Sequence, residues 1–260
     1  MSFVRRLLRG TGVALVSAAC YVPLALTALL TRSDSPRRAK IQSTILRRWS
    51  QAIRWLIGMR TDVIGAAPKT TGLFVANHLS YVDIVLLASE MRTAFVSKRE
   101  VRHWPLVGHL VTIAGTIYVD RERHRSLPET NRQIRTKLDA ETSVVIFAEG
   151  SSTAGETVLP FRPSLLKMAA DHDFPVNYGY LTYRIDKQPG SETRTADEIC
   201  WWGEAGFARH IINLLGLPGF AARLVFGESP KRGDDRKSLA RELHTAVSQQ
   251  LNEHRWKFEA

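Results

Sequence analysis

A histidine and an aspartate stand five positions apart in Asn77-His78-Leu79-Ser80-Tyr81-Val82-Asp83, directly after the apolar run Gly72-Leu-Phe-Val-Ala76. On one continuous helix, positions i and i+5 lie about 140° apart, and the two side chains would not meet. With His78 in a loop after a strand and Asp83 in the first turn of the next helix, the carboxylate reaches back to the imidazole. It then holds one ring nitrogen as a donor and leaves the other free to take a proton. A plainer reading stands beside this one. Ser80-x-x-Asp83 is also a capping box, with Asp83 serving only backbone amides, and His78 is then an ordinary loop histidine.

A second constellation adds weight to the chemical reading. The run Val144-Val-Ile-Phe147 leads into Ala148-Glu149-Gly150-Ser151-Ser152-Thr153, a buried-type strand ending in an acid, a glycine and three hydroxyls. Glycine lets a ligand approach the backbone, and hydroxyls and amides can hold a polar headgroup. Other chemistries fail on inspection. G-x-x-x-x-G-E-T from Gly150 to Thr157 is a near miss for a phosphate-binding loop, with Glu156 where that loop needs lysine. Neither a G-x-S-x-G nucleophile elbow nor an H-E-x-x-H zinc motif occurs.

From residue 61 onward, short β-rich runs alternate with helix-length segments, the pattern of an α/β fold with a mixed sheet flanked by helices. The candidate strands are 61–64, 73–76, 94–97, 117–119, 143–147, 176–182, 199–202 and 223–226. The candidate helices are 81–91, 106–113, 128–138, 164–170, 207–215 and 236–253, with starts signalled at Ser80 and Ser164. No Pro-, Gly- or Ser-rich linker divides this region, so residues 59–260 read as one domain and 1–58 as an N-terminal membrane anchor with an amphipathic helix.

The net charge of +11 draws the chain toward polyanions: nucleic acid, an anionic membrane or an acidic carrier protein. The location of the charge favours the membrane. Arg5, Arg6 and Arg9 precede the uncharged run 10–31, and Arg32, Arg37, Arg38 and Lys40 follow it. A helix of that length reaches roughly 30 Å, a bilayer core. Ser17-Ala18-Ala19 would suit signal cleavage, but apolar residues continue to Leu30. Pro23 makes a re-entrant hairpin as good a reading as a span, and the charges on both flanks do not fix an orientation. In 37–59, Ile41, Ile45, Trp49, Ile53 and Leu56 recur at helical spacing with arginines between them, an amphipathic helix suited to a headgroup interface. Cys20 and Cys200 are far apart and form no metal-binding pair, consistent with a reducing compartment.

Four blocks in order resemble the glycerolipid acyltransferase family, typified by 1-acyl-glycerol-3-phosphate acyltransferase. His78 and Asp83 match its H-x-x-x-x-D. Gly115-Thr-Ile-Tyr-Val-Asp120-Arg121 is similar to G-x-I-F-I-D-R, Phe147-Ala-Glu149-Gly150-Ser151-Ser152 to F-P-E-G-T-R, and Val176-Asn-Tyr-Gly-Tyr stands near its V-P-V strand. The resemblance implies that His78 deprotonates a lysolipid hydroxyl, which attacks the thioester of acyl-CoA or acyl carrier protein, while Asp83 orients His78. It implies that Arg121 binds an acceptor phosphate, that Glu149, Gly150 and Ser151 line the acceptor pocket, and that amides near Gly150 hold the oxyanion. No metal and no cofactor beyond the thioester co-substrate is implied. The partners are membrane lipid, the lysolipid acceptor and the thioester donor, not nucleic acid. The implied place is the inner membrane, with the catalytic domain on its cytoplasmic side.

The resemblance has departures. Ala148 replaces a proline, and Ser152 stands where phosphate-using members carry arginine, with Arg162 as a possible substitute. Cys200-Trp201-Trp202-Gly203-Glu204, followed by Phe207 and His210, is similar to a segment of lyso-ornithine-lipid acyltransferases; His210 reads as a surface helical histidine. The first expected acceptor is 1-acyl-glycerol-3-phosphate, giving phosphatidate, and the alternative is lyso-ornithine lipid. A non-catalytic basic protein that binds membrane or nucleic acid is the alternative from another class.

Overall fold

Two helices lead the chain, α1 (Ser2–Leu30) and α2 (Pro36–Leu56), in a computed structural model that describes residues 2–105, 107–119, 127–185 and 198–256. The strands are β1 (Met59–Ile64), β2 (Leu73–Ala76), β3 (Thr93–Lys98), β4 (Ile117–Val119), β5 (Ser143–Phe147), β6 (Val176–Ile185) and β7 (Phe220–Phe226). Between and after them come α3 (Val82–Glu90), α4 (Val107–Ile113), α5 (Leu127–Asp139), α6 (Pro163–Asp171), α7 (Phe207–Gly216) and α8 (Arg236–His254). The strands form one mixed sheet in the order β1-β7-β6-β2-β5-β3-β4. All neighbours are parallel except β6 and β7, so β1 and β7 run against the rest.

β2 and β5 lie side by side at the centre and are covered on both faces, which is why each reads as an unbroken apolar run. Alternate residues serve opposite cores. Phe74, Ala76 and Val145 point to the side of α2, α3 and α7, with Ile53, Leu86, Leu87 and Leu214. Leu73, Val75, Val144 and Ile146 point to the side of α5, α6 and α8, with Ile134, Leu166, Leu243 and Val247. The loops that carry His78 and Glu149 leave the C-terminal ends of these two central strands, where parallel sheets place their ligands.

α1 is long and apolar enough to cross a membrane, yet it packs along α2 as an antiparallel pair. A Cβ on Gly12 would meet Leu56 at 2.9 Å, so the glycine permits close approach of the two helices. Further along, Trp49 Nε1 donates to Ser17 Oγ at 3.0 Å, and Arg38 reaches the Ala28 and Thr31 carbonyls. At the other end, Arg5 and Arg9, one turn apart, donate to the Gly216, Leu217 and Pro218 carbonyls where α7 stops. They satisfy acceptors that a helix end leaves open.

One expected strand is absent. Residues 199–202 are irregular, although Ile199 and Cys200 are buried. The Trp201 amide there donates to the Leu79 carbonyl, a loop group, instead of entering the sheet. Two helix starts also shift: α3 begins at Val82, and α6 at Pro163, where proline's fixed φ suits the first helical position.

Candidate active site

β2 stops at Ala76, but its pairing with β6 continues through a side chain. Asn77 donates to the Leu181 carbonyl at 2.9 Å and accepts from the Leu181 amide at 2.7 Å. His78 therefore leaves the sheet from a fixed point. Asp83, fully buried in the first turn of α3, closes the arrangement. Its Oδ2 accepts from His78 Nδ1 at 2.7 Å, from the Leu79 amide at 2.7 Å and from the Ser80 amide at 3.0 Å. Its Oδ1 accepts from the Tyr183 hydroxyl at 2.6 Å. The two contacts expected of Asp83 coexist: the same carboxylate holds helix-start amides and the imidazole. The Ser80 hydroxyl, which a capping box would use, is buried without a partner.

With Asp83 accepting on both oxygens, His78 Nδ1 is the donor and Nε2 is the nitrogen left to take a proton. The imidazole stacks on the Phe147 ring, 4.0 Å between centroids and 11° between planes. Its side chain is 23% exposed while that of Asp83 is 0% exposed, so the imidazole is reachable and its partner is sealed. Burial, then the neighbouring Asp83 carboxylate, holds the Tyr183 phenol well above its ordinary value, so it remains a donor.

The loop after β5 wraps the backbone of His78. Glu149, 2% exposed, accepts from the His78 amide at 2.7 Å with Oε1 and from the Leu159 amide at 2.9 Å with Oε2. Burial pushes its carboxyl up to about 7, opposed by those two amides. Gly150 turns the chain at φ +81°, a conformation that favours glycine. The Thr153 amide donates to the His78 carbonyl at 3.0 Å. Ser151 is exposed at the surface of the loop. The Gly150 amide itself donates to the Phe147 carbonyl at 3.1 Å.

The acyltransferase family model matches residues 60–177, a stretch that contains His78, Asp83 and Glu149. The lyso-ornithine lipid O-acyltransferase of Pseudomonas aeruginosa is 31% identical over 80% of this chain and 78% of that protein. The chain belongs to the acyltransferase family. The 1-acyl-sn-glycerol-3-phosphate acyltransferase of Neisseria gonorrhoeae is 31% identical over 38% of this chain and 39% of its own length. The crystal structure of the 1-acyl-sn-glycerophosphate (LPA) acyltransferase PlsC of Thermotoga maritima superposes over 100% of both chains with a TM-score of 0.69 at 18% identity, a likeness of fold.

Within this acyltransferase, His78, Asp83, Glu149, Gly150 and Ser151 converge at the ends of β2 and β5. Arg121 lies outside the described residues. Its block begins at Gly115, held at φ +91° beside Gln42 and the buried Lys137, whose Nζ donates to Gln42 at 2.8 Å. Ser152 donates to the Trp201 carbonyl and ties the loop to the 199–206 segment. His210 is not a surface residue. It is 6% exposed, with Nδ1 3.0 Å from the Tyr81 hydroxyl. Burial lowers its pKa and raises that of Tyr81, so the phenol donates and the imidazole accepts.

Asn77, Phe147, Tyr183 and Trp201 are site-forming residues whose roles sequence reasoning missed. Tyr183 carried a usable signal: it alternates with Leu181 toward one face of β6, and a buried tyrosine hydroxyl needs a partner. Residues 183 and 201 both lie beyond the matched stretch.

Proposed function

We propose that this acyltransferase moves a fatty acyl group from a thioester, acyl-CoA or acyl carrier protein, to the hydroxyl of a lysolipid, with His78 as general base. The observation that carries the reading is the His78–Asp83 pair, in which one ring nitrogen is bound at 2.7 Å and the other is left for the hydroxyl proton. His78 Nε2 takes that proton as the oxygen attacks the thioester carbonyl. The proton then passes to the departing thiolate as the tetrahedral intermediate collapses. Asp83 keeps the imidazole oriented through both transfers.

For the acceptor, we place lyso-ornithine lipid first. Its P. aeruginosa acyltransferase aligns over 80% of this chain, against 38% for the Neisseria phosphatidate-forming enzyme. Ser152, bonded to Trp201, also leaves the loop without the arginine expected for a phosphate. Phosphatidate formation, the first expectation from sequence, stands as the second reading because the similarity to that enzyme is equally high over the shorter match.

We further propose that α1 lies within one leaflet of the inner membrane, on the cytoplasmic side, rather than spanning it. Phe3, Leu7, Leu8, Leu29 and Leu30 are exposed along it, whereas its other face is fixed to α2 and α7. A span would pull α2 and its exposed Arg37 and Arg48 into hydrocarbon.

The test offers purified full-length protein labelled acyl-CoA and acyl carrier protein with a panel of lysolipids. Transfer is expected, and His78→Ala should lower it by about 10²–10⁴-fold with the fold intact by circular dichroism. Full activity in that variant would remove His78 as the base.

A further inference from the structure

Beside the loop that holds His78 stands Arg162, the cation that the sequence offers in place of the arginine missing at Ser152. Arg162, the residue before α6, has extended backbone and donates its amide to the Ala148 carbonyl at 2.9 Å. Its side chain folds back over Gly150. A Cβ on that glycine would meet Arg162 Nε at 2.6 Å and Cδ and Cζ at 3.0 Å. The missing side chain of Gly150 therefore makes room for the guanidinium as well as for the turn. Arg162 is exposed, and no described acidic side chain pairs with it. Most other polar side chains of the loop are engaged within the protein, both Glu149 oxygens by main-chain amides, the Ser152 hydroxyl by Trp201, and Thr153 Oγ1 by the Gly155 amide, while Ser151 is exposed beside them.

We propose that the Arg162 guanidinium, seated on Gly150, binds the anionic group of the lipid acceptor, a phosphate or a carboxylate, and so selects charged lysolipids over neutral ones. The assignment rests on the acceptor reading above and deepens it. A planar guanidinium suits either anion through paired N–H donors. Its seat on Gly150 adjoins Glu149, which holds the His78 amide, so an acceptor anchored there lies beside the base.

Steady-state kinetics of full-length wild type, Arg162→Met and Arg162→Lys in detergent micelles test this with lysophosphatidate, lyso-ornithine lipid and monoacylglycerol. Arg162→Met should raise KM for the anionic acceptor about 10- to 100-fold, the range of one charge-assisted hydrogen bond. KM for acyl-CoA and for monoacylglycerol should stay put, and Arg162→Lys should recover part of the loss. A loss confined to lysophosphatidate identifies a phosphate, and one confined to lyso-ornithine lipid a carboxylate. An equal loss on all three acceptors, no loss, or a rise only in KM for acyl-CoA would overturn the assignment. Binding of the same lysolipids to His78→Ala protein, with and without Arg162→Met, reads this contact without turnover. An inactive wild type would then sink the catalytic reading while this contact is still measured.

Discussion

Glu149 is a site residue whose environment ties its charge to pH near neutrality. Its buried carboxyl sits at about 7, above the ordinary 4.5, while its two oxygens serve main-chain amides. In the window between those values the native state keeps a proton that the unfolded chain has released. The stability this group contributes is therefore present below about pH 4.5 and is lost as pH rises through about 7, by about 3 kcal/mol in all. Glu149→Gln removes the titration, so the wild type should lose stability relative to the variant between pH 5 and 8. Denaturant unfolding of both proteins across that range checks it; parallel curves would show that Glu149 does not titrate there. Among the site residues, His78, Asp83 and Glu149 could be picked out by type and spacing. Tyr183 could not be tied to Asp83, because a contact across 100 positions depends on which strand lies over α3.

At the scale of elements, the site depends on how β2 ends. Asn77 replaces one rung of the β2–β6 ladder with its side chain, using two hydrogen bonds to Leu181 in a buried setting. Asn77→Ala leaves the Leu181 amide and carbonyl unpaired, at about 1–3 kcal/mol for each buried group. We expect a loss of about 2–6 kcal/mol in urea unfolding, with activity falling further than that of a core variant of equal stability, because His78 loses its anchor. Equal activity at equal stability would deny Asn77 any positioning role. The elements themselves were largely readable. Central strands are apolar on both faces and helices carry their period, so β2, β5 and α8 fell where the pattern put them. The 199–202 run misled because Ile199 and Cys200 are buried for a different reason: the segment packs on the Leu79 and Ser152 loops.

Across the whole molecule, α1 joins the membrane question to the fold. Val13 and Val16 pack toward the core, while Leu7, Leu8, Leu29 and Leu30 are 60%, 67%, 82% and 80% exposed. The apolar face is thus surplus to folding and available to lipid. Each leucine moved from water into lipid contributes about 1.5–3 kcal/mol. Changing all four to glutamate should release the protein from anionic vesicles by more than about 100-fold, with little change in thermal stability. Flotation assays decide it: retention on vesicles would mean that another surface holds the membrane. The basic residues expected to grip headgroups divide in the structure, since Arg5 and Arg9 are spent on the end of α7.

The sequence by itself determined the α/β alternation, the order of the four blocks and the five-residue spacing that lets Asp83 reach His78. Each of these is written in local spacing, which strand and helix geometry converts directly into position. Only the tertiary structure decided that Asp83 acts as helix brace and histidine partner at once, that Tyr183 completes it, that His210 is buried against Tyr81, and that Arg162 lies over Gly150. Those facts join residues far apart in the chain. They follow from which strands are neighbours in the sheet and how close their loops come, and spacing along one chain carries no measure of either.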